Sequence, residues 1–138
     1  MRPTERIKEA QRVLEAEAKA IFASSKKIGL NFSKCVDLII DCKGTIVISG
    51  IGKSGNIGRK ITSTLASLGT PSIFLHTSDA FHGDLGILRK NDLLILISNS
   101  GETDELVRLL NYANKNGIKS IAITGKIDST INKKATST

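Results

Sequence analysis

The chain has 138 residues, 40% hydrophobic and 24% charged, with a net charge of +7 from 20 Lys and Arg against 13 Asp and Glu. That length suits one domain, able to bury roughly two thirds of its unfolded surface. No apolar run approaches the roughly 20 residues that span a bilayer, residues 1–5 carry no signal-peptide core, and the basic residues are scattered without an aromatic stacking platform. The composition therefore argues against a membrane span and against nucleic acid, and leaves a mild general attraction for anions.

In chain order, Ile7, Ala10, Leu14, Ala18, Ile21 and Phe22 recur at three- and four-residue spacing, predicting an amphipathic helix over residues 4–23. Gly29 interrupts the pattern, and Ser33 is placed to cap a second helix that buries Cys35, Val36, Ile39 and Ile40 and ends before Gly44. Cys35 and Cys42, seven residues apart on that helix, would lie about 10 Å apart along its axis, too far for a disulfide. Two buried, reduced thiols fit a cytoplasmic protein. Thr45 to Ile48 is a β-branched run that reads as a buried first strand.

That strand runs into Gly50-Ile-Gly-Lys-Ser-Gly55 and then into a helix with Ile57, Ile61, Leu65 and Leu68 on one stripe, closed by Gly69. Glycines let a chain turn sharply off a strand and bring its backbone close to a ligand. The helix start supplies unpaired N–H groups and a positive dipole end, and Lys53 and Ser54 add a cation and a hydroxyl. The glycines match the dinucleotide fingerprint G-x-G-x-x-G, but the second strand ends in Leu75-His76-Thr77-Ser78, without the acid that would hold a ribose. A P-loop would need glycine where Val47 stands. The loop reads as a phosphate cradle of another kind.

Residues 71–76 form a second predicted strand, and Thr77 to Arg89 is polar, glycine-containing and too long for a simple connector. Asp92 to Ser98 reads as a third strand, apolar from Leu93 to Ile97, as a strand buried on both faces of a parallel sheet should be. Ser98-Asn-Ser-Gly-Glu-Thr103 then leads into a helix bearing Leu106, Leu109, Leu110 and Ala113 that ends near Gly117. Lys119 to Thr124 is a fourth strand, with a short helical start from Thr130 to Ala135. Alternating strands and helices predict a parallel α/β sheet, with ligands at the carboxyl ends of its strands. Capping by Ser100 would account for one hydroxyl in residues 98–103; three hydroxyls and a glycine suit a phosphate.

Three segments together, Gly-Ile-Gly-Lys-Ser-Gly-Asn-Ile-Gly-Arg-Lys, Phe-His-Gly-Asp-Leu-Gly and Ile-Ser-Asn-Ser-Gly-Glu-Thr-Asp-Glu, resemble the sugar isomerase (SIS) domain family, and more narrowly its D-arabinose 5-phosphate isomerases. The likeness runs in the right order from about residue 5 onward. It implies a three-layer α/β sandwich of flavodoxin-like type, with a parallel sheet of at least four strands behind two N-terminal helices (residues 1–43, then an α/β core over 44–138). It also implies cofactor-free interconversion of ribulose 5-phosphate and arabinose 5-phosphate in a cytoplasmic homo-oligomer, a tetramer in the family, feeding 3-deoxy-manno-octulosonate and lipopolysaccharide synthesis. By the same resemblance Ser54, Ser98, Ser100 and Thr103 hold the substrate phosphate, and Lys53, His82 and Glu105 are the reactive set.

The chemistry is consistent with those residue types. Moving a carbonyl between C1 and C2 through an enediol(ate) needs a base for a carbon-bound proton, which suits Glu105. A fixed cation such as Lys53 suits the developing oxyanion, and an imidazole, His82, can shuttle protons between oxygens or assist ring opening. His76 reads as structural, and His82, Asp84 and Cys35 lack metal-ligand spacing. A non-catalytic phosphosugar-binding module is the competing expectation. Family members continue through a fifth strand and further helices that bring a second active-site histidine, and many carry paired CBS domains. The sequence stops at Thr138, so an uncovered fourth-strand edge, reliance on self-association and low activity are expected.

Overall fold

The computed structural model describes residues 2–81 and 83–138. Contacts divide the chain into Met1–Phe32 and Ser33–Thr138. In the first unit, helix α1 spans Pro3–Ser25. Pro3 stands in its first turn, where a missing N–H costs nothing, and the Glu5 carboxylate accepts a hydrogen bond from Arg2 N at 2.7 Å. Ile7, Leu14, Ile21 and Phe22 lie exposed along the predicted stripe.

Helix α2 spans Leu30–Ile40, so Ser33 stands inside it and does not cap it; the first turn is closed at Gly29, whose carbonyl accepts from Phe32 N. Ending at Ile40, α2 carries Cys35 but leaves Cys42 beyond it. Both thiols are free and half-buried, Cys35 Sγ 3.4 Å from Ser137 Oγ and Cys42 Sγ 3.6 Å from Asn91 O.

In the second unit, strands β1 (Ile46–Gly50), β2 (Ser72–Phe74), β3 (Leu93–Ser98) and β4 (Lys119–Thr124) form one parallel sheet in the order β2-β1-β3-β4. The fold is thus the expected three-layer α/β sandwich. β1 and β3 are buried at every position, as the central strands of a doubly covered sheet must be. Side-chain alternation sorts the core in two. Ile46, Ile48, Leu93, Ile95, Ile97 and Ile121 face Cys35, Leu38 and Ile39 of α2 and Ile61 and Leu65 of helix α3 (Lys53–Ser67). Val47, Leu94, Leu96 and Ala122 face Leu106, Leu109, Leu110 and Ala113 of a helix over Asp104–Lys115.

β2 is shorter than the predicted 71–76, because the chain turns away after pairing Ser72, Ile73 and Phe74 with Ile46, Val47 and Ile48. The following polar segment folds into helix α4 (Thr77–Phe81) and a 3-10 turn over Asp84–Ile87. The helix after β3 is α5, and helix α6 covers Thr130–Lys134. The expected open edge of β4 is corrected in part. Ala122 N donates to Ser137 O, Ser137 N donates to Ser120 O, and Ile121 and Ser137 form a parallel bridge, so the chain beyond α6 starts to line that edge. Among the described residues no helix is long and apolar enough to cross a membrane.

Candidate functional site

β1 and β3 are neighbours in the sheet, with Gly50 opposite Ile97, yet the chain leaves them toward opposite faces. From β1 it passes to α3 and from β3 to α5, whose apolar stripes cover different sides of the sheet. This is the topological switch point of an open α/β sheet, where diverging loops leave a crevice flanked by two helix N-termini. Both loops singled out in the sequence end there.

The first loop is shaped by backbone contact. A Cβ on Gly55 would stand 2.7 Å from Gly50 O, so only glycine lets the first turn of α3 press against the end of β1. Gly52, the residue before α3, has φ +58°. Lys53 and Ser54 are the first two residues of the helix, Lys53 exposed and Ser54 half-buried. Their own N–H groups lie in the part of a helix that has no internal acceptor.

In the second loop, Ser98 closes β3 and is buried; its Oγ accepts from Gly101 N at 3.0 Å and shares a hydrogen bond with Thr103 Oγ1 at 3.0 Å. Ser100 Oγ accepts from Glu102 N at 3.2 Å. Thr103 precedes the first turn of α5 without using its hydroxyl as a cap, and Glu105 is exposed in that turn. The loop's donors and hydroxyls satisfy one another, a set that an anion entering the crevice can re-pair. His82 lies outside the described residues. The α4 segment just before it is tied to α5 by the Arg108 guanidinium, 4.4 Å from the Phe81 ring. His76 Nδ1 accepts from Ser78 N at 3.2 Å, the structural part expected of it.

Glu102 is a residue that motif spacing alone left without a part. Its carboxylate accepts from Thr130 N at 2.8 Å, across from the start of α6, and hydrogen bonding to Thr130, its side chain first and its backbone second, holds its carboxyl below the usual range. Gly101 has φ +65°, and a Cβ there would overlap the Ser129 side chain. A separate cavity at the amino edge of the sheet, bordered by Lys43, Thr45, Arg89 and Asp92, touches none of the nominated residues. Asp92 there is structural, Oδ1 accepting from Thr45 N and Oδ2 from Arg89 N, both at 2.8 Å.

The SIS domain family model matches residues 38–138, which include both loops and all four strands. The chain belongs to the SIS domain family. This SIS domain is 46% identical over 130 residues to arabinose 5-phosphate isomerase KpsF of Escherichia coli O6:H1, covering 94% of this chain and 40% of that one. It is 43% identical over 129 residues to arabinose 5-phosphate isomerase KdsD of Pseudomonas aeruginosa, covering 94% of this chain and 40% of the relative. The chain therefore spans about two fifths of the length of these curated relatives. Among solved structures, E. coli CFT073 c3406 in complex with arabinose 5-phosphate superposes with a TM-score of 0.92 at 38% identity, over 99% of this chain and 72% of that one.

Proposed function

We propose that this SIS domain binds a pentose 5-phosphate in the β1/β3 crevice and serves an aldose–ketose isomerase interconverting D-arabinose 5-phosphate and D-ribulose 5-phosphate. The observation that supports the reading is topological: the adjacent strands β1 and β3 lead at their carboxyl ends into the N-termini of α3 and α5, the second through a hydroxyl-rich loop. That arrangement offers an anion backbone N–H groups and neutral hydroxyls without burying a fixed charge. In this reading Ser54, Ser98, Ser100 and Thr103 hold the phosphate. Glu105 moves the proton between C1 and C2, Lys53 stabilises the enediolate oxygen, and His82 transfers protons between the sugar oxygens.

Residues 1–43 serve as the helical entry and 44–138 as the α/β core. Self-association as a homo-oligomer would cover the exposed stripe of α1. The reaction belongs in the cytoplasm, supplying 3-deoxy-manno-octulosonate and lipopolysaccharide synthesis. Incubating the protein with ribulose 5-phosphate and following the aldose C1 signal by NMR tests the chemistry, with calorimetry of arabinose 5-phosphate alongside. Conversion supports the enzyme. Binding without conversion points to a regulatory phosphosugar module, and absence of both overturns the phosphate reading.

A further inference from the structure

The Ser98–Thr103 loop is cross-linked internally by the Ser98 and Ser100 hydroxyls, and it is also held from outside. The segment between β4 and α6 supplies the outside support. Gly125 N donates to Asn99 O at 3.1 Å, Ile131 N to Gly101 O at 3.1 Å, and Thr130 N to the Glu102 carboxylate at 2.8 Å. Gly101 lies directly against the side chain of Ser129, itself buried.

The contact is reciprocal. α6 is one turn long, and such a helix does not persist in water unaided. Of its first three amides, Thr130 N is taken by Glu102, Ile131 N by Gly101, and Asn132 N by Ser129 Oγ at 3.4 Å. The loop caps α6, and α6 fixes the loop. Glu102 stands at the joint, because its backbone N–H is the donor that orients Ser100 Oγ.

We infer that Glu102 is a positioning residue for the phosphate loop, acting through Thr130 to hold Ser100 and Gly101 in their ligand-ready arrangement. This inference rests on the phosphosugar reading above. Motif spacing gives Glu102 no part; the structure assigns its carboxylate to a helix 28 residues further on.

Two variants break the same bond from opposite sides. Glu102→Ala removes the acceptor. Thr130→Pro removes the donor at the first helical position, which proline favours, and the preceding Ser129 (φ −70°, ψ 157°) already has the conformation that a following proline requires. Each is expected to weaken arabinose 5-phosphate binding about three- to tenfold, the range one lost hydrogen bond produces. The double variant should lose no more than either alone, and Glu102→Gln, which keeps an acceptor oxygen, should restore binding.

Amide exchange read by NMR gives an arm that needs no ligand: the Gly101 and Glu102 amides should exchange faster in both single variants. Unchanged affinity and unchanged exchange in Glu102→Ala would overturn the positioning part. Faster exchange in a protein whose parent binds no sugar phosphate would uphold the clamp while refuting the phosphate reading on which its purpose rests.

Discussion

Ser98 and Ser100 are both expected phosphate ligands, but the fold asks different things of them, and alanine substitutions should separate the two parts. In Ser98→Ala the buried Gly101 N–H loses its acceptor and the Thr103 hydroxyl loses its partner. An unpaired buried N–H costs about 1–3 kcal/mol, and the half-exposed threonine can turn to water, so the total should be about 1–3 kcal/mol. For a chain of this length that is a fall in Tm of roughly 3–12 °C. Ser100 Oγ, half-buried, accepts only from the exposed Glu102 N, so Ser100→Ala should cost less than about 1 kcal/mol and lower Tm by less than about 4 °C. Against arabinose 5-phosphate both should weaken binding, by about 1–3 kcal/mol in the double variant. Thermal melting and calorimetry on the same samples decide it. Wild-type affinity in Ser100→Ala would remove Ser100 from the phosphate site, and a Ser98→Ala protein melting with the parent would show that its two hydrogen bonds are not what orders the loop.

Glu105→Gln should lower turnover roughly 10²–10⁴-fold while barely moving substrate affinity, as loss of a general base does; steady-state kinetics showing less than about a threefold loss would assign the proton transfer elsewhere. Asp92→Ala should cost about 3–4 kcal/mol in urea unfolding, because the Thr45 and Arg89 amides both lose a charged acceptor, and Asp92→Asn about half as much. The carboxyls of Glu5, Glu9 and Glu102 are held below their usual value of 4.5, by hydrogen bonds to Arg2, Arg12 and Thr130 respectively, with Lys126 and Lys133 adding to the effect on Glu102. Depressed folded-state values mean that their contribution is complete above pH 4.5 and is lost as pH falls through the folded-state values. Tm should therefore fall below about pH 4.5, and less steeply in Glu102→Gln; identical pH profiles would detach Glu102 from acid stability.

The chain's order of strands and helices was legible in the sequence because each carries a local signature. The apolar run 93–97 reads as a strand covered on both sides, and the heptad-like stripe of α5 and the residues of β4 match the structure closely. Both candidate loops were legible for the same reason, since glycine, hydroxyl and lysine at a strand-to-helix junction are a local pattern. Local signals also misled where the edge of an element depends on its neighbours. Ser33 looks like a cap until the turn at Gly29 starts α2 earlier, and β2 stops after Phe74 because the chain turns away toward α4, although β1 runs on to Gly50. What no window of sequence contains is that α3 and α5 pass to opposite faces of adjacent strands, which makes the crevice. Nor does it contain the meeting of Glu102 with Thr130, or of Ser137 with β4, because such contacts follow from how the crossovers stack and not from the residues beside them. Composition and periodicity therefore determined the elements and the chemistry each loop could offer, and tertiary packing alone decided which loops face one another and what holds them there.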